Sequence, residues 1–324
     1  MVLRVPESER SFAAPVAPRW RAEPFRLFFP LAVLLGWVGI GHWLLYGVGV
    51  LATYSCLFHG LVQMQAFMMA FALGFLLTAL PRRTRSDAPS AVEMSLALAC
   101  LVAITGAAAA ERWALAEVGY AALFLGLLRF AIRRFLGAGA GRRPPAAFVL
   151  IPIGVAHGLA DAAPPADLDA SARERMKALV RATVVALGLA LGGGAWKRPA
   201  KPGFHRKLVW LSAWLMPLGL AVAGLWPDYR VPALHVLFIG GFGLMAFGVA
   251  THVALSHLGL DALAAGRPPA IVVLGVMLVL AMLARFAADL SHTYFDHLAW
   301  AAALWLTGSA VWLVFLAPKL LRSR

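Results

Sequence analysis

Cysteine is nearly missing from this chain: two occur in 324 residues, Cys56 and Cys100. They are too far apart in sequence to suggest a disulfide framework, and no C-x-x-C-H occurs, so covalent haem attachment is excluded. Acids are scarce as well, 15 Asp and Glu against 29 Lys and Arg, and charged residues make up only 14% of the sequence. A soluble domain carries about 25%. There is no G-x-S-x-G, no P-loop and no H-E-x-x-H, which removes the soluble hydrolases, nucleotide enzymes and zincins. The acids Glu93, Glu111, Glu117, Asp161, Asp228, Asp289 and Asp296 fall at the ends of apolar runs or between them. A coupled carrier would be expected to bury an acid in mid-membrane.

What remains is apolar. The chain is 61% hydrophobic, with a mean hydropathy of +0.79. Ten stretches approach the ~20 residues that cross a bilayer as a helix. They cover 26–46, 59–80, 91–109, 114–134, 146–161, 175–195, 208–226, 232–257, 269–288 and 298–317. The expected fold is all-α, a polytopic integral membrane bundle of about ten helices (ten to twelve). Residues 1–25 read as a Pro-rich basic arm without a signal-peptide core. Residues 26–318 read as one transmembrane domain and 319–324 as a tail, with DAAPPADLD (161–169) as a linker within the domain.

The formal charge of +14 is a statement about topology. With the N-terminus cytoplasmic and ten spans, 22 of the 29 Lys and Arg residues fall on one side. That is positive-inside asymmetry, so the lipid bilayer is the expected partner and nucleic acid is not.

Histidines are the chemical content of the apolar runs. LHVLFIGGFGLMAFGVATHVALSH (234–257) contains His235, His252 and His257 with no acid, lysine or arginine. On an uninterrupted α-helix His235 and His257 share a face at opposite ends, about 33 Å apart, too far to share one metal atom. His252 lies well round the helix from both. Gly241, Met245, Gly248 and His252 follow at steps of four, three and four, a stripe open to something flat or to a neighbouring helix. In CLFHGLVQMQAFMMAFALGFLLTALP (56–81), Cys56 precedes His59 by three and Gln63 follows it by four, so all three can face one way. Met64, Met68 and Met69 come next. Imidazole, thiol and thioether together suit copper, and imidazole alone also suits haem iron. Ser291-His292-Thr293-Tyr294-Phe295-Asp296-His297 reads first as a solvated turn and second as a metal site.

These segments resemble the NnrS family of bacterial membrane proteins. PFRLFFPLAVL (24–34) is similar to the family's opening P-F-R-x-F-F motif, and 59–81 to its second-helix motif ending G-F-L-L-T-A. Residues 234–257 are similar to its H-x-x-x-x-G-x-x-G-x-M…T-R-V-x-L-G-H segment, and RFAADL (285–290) with the last span through APK (317–319) completes the pattern. The chain departs in having Leu61 and Val62 where many members continue H-x-H-E-M. It has His252 where arginine is common, and ten spans where about twelve are usual. The resemblance implies a multi-pass protein of the bacterial inner membrane, with non-covalent haem and with copper as a further cofactor. It also implies a role in the response to nitric oxide, in tolerance of nitrosative stress and beside denitrification.

Carried over by position, His59, His235 and His257 are the ligand candidates. His59 and His235 would serve one haem or copper if their helices are neighbours, and His257 would belong to a second position. His252, Gln63 and Cys56 stand beside them, with His42, Thr53 and Tyr54 as polar neighbours for a bound diatomic gas. Turnover would need electrons from a quinol or another redox donor. The competing expectation is a small-molecule or metal-ion transporter whose histidines line the path.

Overall fold

The computed structural model describes residues 18–137 and 197–321. The expected spans at 146–161 and 175–195, the 161–169 linker, His157, residues 1–17 and residues 322–324 lie outside that description. The described residues are helical without a strand, and eight helices are long and apolar enough to cross a membrane. They are α1 (Phe25–Gly47), α2 (Cys56–Thr84), α3 (Ala91–Ala109), α4 (Trp113–Leu136), α5 (Phe204–Leu225), α6 (Arg230–His257), α7 (Pro269–Ala288) and α8 (Tyr294–Leu321).

Several helices begin earlier or run longer than the apolar runs suggested. α5 starts at Phe204, ahead of 208, and α8 covers Tyr294–Leu321 instead of 298–317. Hydropathy stops at the first polar residues. The backbone does not, because polar residues such as Asp296 and Lys319 can reach the interface while the helix continues beneath them.

Local chemistry sets the ends. Ser90 and Glu93 form a reciprocal capping box at the start of α3, with Glu93 N donating to Ser90 Oγ (3.1 Å) and Ser90 N to Glu93 Oε2 (2.7 Å). Glu93 also meets Arg134 Nη1 of α4 at 3.6 Å, tying this hairpin at its basic end. Ser55 caps α2 by accepting from Phe58 N at 3.1 Å.

Successive spans alternate in direction, which gathers the described cations at one end of the bundle. Among the described Lys and Arg residues only Arg112, Arg230 and Arg285 lie at the opposite end. At the basic end the PFRLFF segment works as a latch. Phe25, Phe28 and Phe29 are fully buried. Phe25 meets the His257 ring edge-on at 5.4 Å, Arg26 donates to the Leu320 carbonyl, and Glu23 accepts from Arg26 Nε at 2.5 Å. α1 is thereby joined to the ends of α6 and α8.

The middle of the bundle is aromatic. Phe67 and Phe71 of α2, Phe247 of α6, and Trp305 and Trp312 of α8 meet with centroids 5.1–6.3 Å apart, mostly edge to face. Several interior polar groups beside this centre are paired, as hydrocarbon favours. Trp312 Nε1 donates to Thr251 Oγ1 (2.8 Å), Thr251 Oγ1 to the Phe247 carbonyl (2.7 Å), and Trp37 Nε1 to Ser309 Oγ (2.8 Å).

Candidate functional site

Two helices depart from α geometry, and both do so beside a candidate histidine. α2 is α-helical over Cys56–Leu61, π-helical over Val62–Phe67 and α-helical again from Met68. α6 is α-helical over Arg230–His235, π-helical over Val236–Gly243 and α-helical from Leu244. Wider π turns are rare and concentrate at functional sites. They also undo the shared face derived for His235 and His257, since that derivation assumed an α-helical step throughout.

Between these stretches lies a cavity of about 410 Å³, within the ~300–1,000 Å³ range of cofactor and small-molecule sites. His59 and His235 line it from opposite helices, with ring centroids 6.5 Å apart and planes 11° from parallel. Cys56, Gln63, Met64 and Met68 line it too, so the expected shared face of Cys56, His59 and Gln63 is realised. Phe67 and Trp305 extend the lining to the aromatic centre of the bundle, and Trp43, Arg285 and Tyr294 belong to its other end.

Each of the two imidazoles is held by its Nδ1. His59 Nδ1 lies 2.8 Å from the Gly39 carbonyl of α1, and His235 Nδ1 lies 2.8 Å from the Val231 carbonyl one turn earlier. A carbonyl can only accept, so both nitrogens carry the proton and both Nε2 atoms keep a lone pair. This is the tautomer that metal-binding histidines use, with the second nitrogen oriented by a carbonyl. The two rings stand 6.5 Å apart, centre to centre, with planes 11° from parallel, so both imidazoles belong to one cavity.

Close approach at α1 depends on missing side chains. A Cβ on Gly39 would stand 2.4 Å from Gln63 Nε2 and 3.0 Å from Val62 Cγ1; one on Gly36 would stand 2.5 Å from Trp305. The bare positions let Gln63 Nε2 donate to the Gly36 carbonyl at 3.0 Å while His59 takes that of Gly39. On the far side, a Cβ on Gly219 of α5 would meet the Leu237 nitrogen at 2.7 Å and the Ala233 carbonyl at 2.8 Å, so α5 presses on the backbone around His235.

The other candidates lie elsewhere. His257 sits at the basic end against Phe25, with Nε2 buried and without a hydrogen-bond partner. His252 stacks on His205 of α5 at 5.3 Å and 17°, with Arg206 Nη2 3.5 Å from its Nδ1. A cation there opposes a second positive charge. The stripe running to His252 faces α5, because a Cβ on Gly241 would strike Met216 and one on Gly248 would strike Val209. Of its two readings, the neighbouring helix is the one observed. His42 lies 6.0 Å from His59, while Tyr54 packs against Trp43 at 4.7 Å with the rings tilted by 35°; neither His42 nor Tyr54 lines the cavity. Thr53 is exposed. Residues 291–293 form a turn, with Thr293 N donating to Ser291 Oγ at 3.1 Å, and residues 294–297 are the first turn of α8.

Among the described residues no three of His, Cys, Asp and Glu group as a metal would need, so the central imidazoles stand as a pair. No acid is among the described buried residues. Sequence reasoning missed Arg285, which is 5% exposed inside an apolar span and lines the cavity. An ionisable residue within a span was signal enough. It also missed the His205–His252 pair, which spacing along the chain cannot reveal.

A family model described as "NnrS protein" matches residues 19–193 and 142–324. No curated protein matches, and no solved structure matches.

Proposed function

The chain belongs to the NnrS family, and from that premise we propose that His59 and His235 hold a haem at which nitric oxide would take the place of one of the two imidazoles, in a protein contributing to nitrosative-stress tolerance. Family membership and the eight spans make it a multi-pass membrane protein related to the nitric oxide response. The finer reading rests on one observation: two imidazoles with oriented Nδ1 atoms and free Nε2 atoms share one largely apolar cavity at 6.5 Å.

The haem iron would supply the gas-binding centre, with distal polarity and access deciding between binding and turnover. The chain's own part is positional. The Gly39 and Val231 carbonyls fix the two rings, and Phe67, Phe238, Phe242 and Trp305 give the cavity an apolar wall. Gln63, held on the Gly36 carbonyl, offers its remaining amide groups near His59. Electrons for any turnover would come from a quinol or similar donor. The basic end of the bundle would face the cytoplasm of a bacterial inner membrane, placing the cavity toward the outer face.

A copper ion is the second reading, and the thioethers of Met64 and Met68 and the thiol of Cys56 in the same cavity favour it. Imidazole with soft sulfur suits Cu(I). Optical spectra of the detergent-purified protein, oxidised and reduced, with iron and copper counted per chain, separate the two. A Soret band lost in both His59→Ala and His235→Ala, in chains that remain helical, supports haem. Stoichiometric copper without a Soret band selects the second reading, and a colourless chain from haem-replete cells with neither metal overturns both.

A further inference from the structure

Arg285 is the one formally charged side chain lining the cavity among the described residues. It comes from the last turn of α7, deep enough to be 5% exposed, and lines the same cavity as His59 and His235. A cation buried within a span is costly and usually faces a partner or a cavity. One partner is present: Nη1 contacts Asp289 Oδ2 one helical turn on. Asp289 does not line the cavity and is itself partly exposed.

A guanidinium carries five N–H donors in a planar fork, and one carboxylate oxygen uses few of them. The Tyr294 ring, 5.7 Å from the Arg285 Cζ, covers one face without accepting from the fork's edge. The cavity therefore pairs a neutral, aromatic and imidazole-lined body with a single cationic corner. A purely apolar guest, or a bare metal cation, would have no use for that corner. A flat macrocycle with a carboxylate on its rim would.

We infer that Arg285 is the anion anchor of this cavity, taking a carboxylate of the bound macrocycle, the propionate of a haem, while His59 and His235 take the metal. This rests on the haem reading given above. It adds a prediction that reading does not make: recognition of the macrocycle's acid group separately from its iron.

The test compares iron protoporphyrin IX with its dimethyl ester, which keeps the ring and metal and removes both charges. The full-length protein, purified free of haem in detergent, is titrated with each and followed by its optical spectrum. Wild type is expected to bind the free acid about tenfold or more tightly than the ester, the scale of a charge-assisted contact of ~1.5–3 kcal/mol. Arg285→Gln should bring the two within about twofold while leaving the histidine-ligated spectrum in place. Asp289→Asn, which frees the fork, should widen the preference. Equal binding of acid and ester by wild type overturns the inference without any variant, and so does a preference that survives in Arg285→Gln. If neither macrocycle gives a spectrum dependent on His59 and His235, the haem reading falls and the anchor with it.

Discussion

Gly39→Ala adds one methyl group where the structure leaves no room for it. The new Cβ would lie 2.4 Å from Gln63 Nε2 and 3.0 Å from Val62 Cγ1, against about 3.5–4.0 Å for an optimal contact. Gln63 can swing away, but only by giving up its bond to the Gly36 carbonyl, worth ~0.6 kcal/mol on average within a bilayer and at most ~1.7. Val62 is fully buried and has nowhere to go, so overpacking of ~1–3 kcal/mol is added. Alanine recovers ~0.5–1 kcal/mol of helix propensity, leaving a net loss of about 1–3 kcal/mol.

Gly41→Ala, half a turn further along the same helix, meets nothing within 4 Å, and neither does Gly60→Ala in the cavity lining. Those two should be neutral or slightly stabilising. Denaturant titration in mixed micelles, read by helical circular dichroism, measures all three against wild type. Haem titration should weaken for Gly39→Ala alone, since the Gly39 carbonyl orients His59. If Gly39→Ala and Gly41→Ala shift stability by the same amount and sign, the close packing of α1 on the π stretch of α2 is wrong.

Two further outcomes follow from groups remote from the cavity. Thr251→Val removes the acceptor of the buried Trp312 N–H and should cost about 0.6–1.7 kcal/mol, whereas Ser291→Ala in the exposed turn should stay within ~0.5 kcal/mol; the same titration compares them. Burial alone would raise the Glu23 carboxyl, yet hydrogen bonds and charge from Arg26 and Arg19 hold it below its ordinary value. A depressed carboxyl stabilises the fold above its unfolded pKa, and that contribution is lost as pH falls through the folded value. The thermal midpoint of wild type should therefore fall on acidification below about pH 4.5, with Glu23→Gln showing a shallower acid limb. Identical acid limbs would refute this ion pair's part in the latch.

Much of the fold was legible because the facts that determine it are local. Each described span announces itself by hydropathy. The capping box is visible as Ser90 and Glu93 three apart, and the sidedness of the bundle is visible in the distribution of Lys and Arg. The missing motifs excluded whole classes of enzyme. Histidine within apolar runs, with Cys56, Gln63 and the methionines at helical spacing, named the chemistry of the cavity, and the family resemblance pointed to His59 with His235.

What the tertiary structure decided is which of these residues meet. That His59 faces His235 across 6.5 Å depends on α2 and α6 packing side by side, which no spacing within either helix encodes. The π turns followed from no propensity in VQMQAF or VLFIGGFG, and they re-aim every residue after them. His252 had to be seen beside His205 before the small-residue stripe could be read as contact with α5. Arg285 stands out in the sequence as an ionisable residue within a span, but only the packing of its helix shows that it reaches the cavity that the two histidines line. Hydropathy is a property of one helix, whereas a site in a bundle depends on register between helices, fixed here by glycine gaps receiving Gln63, Val62, Trp305 and Met216.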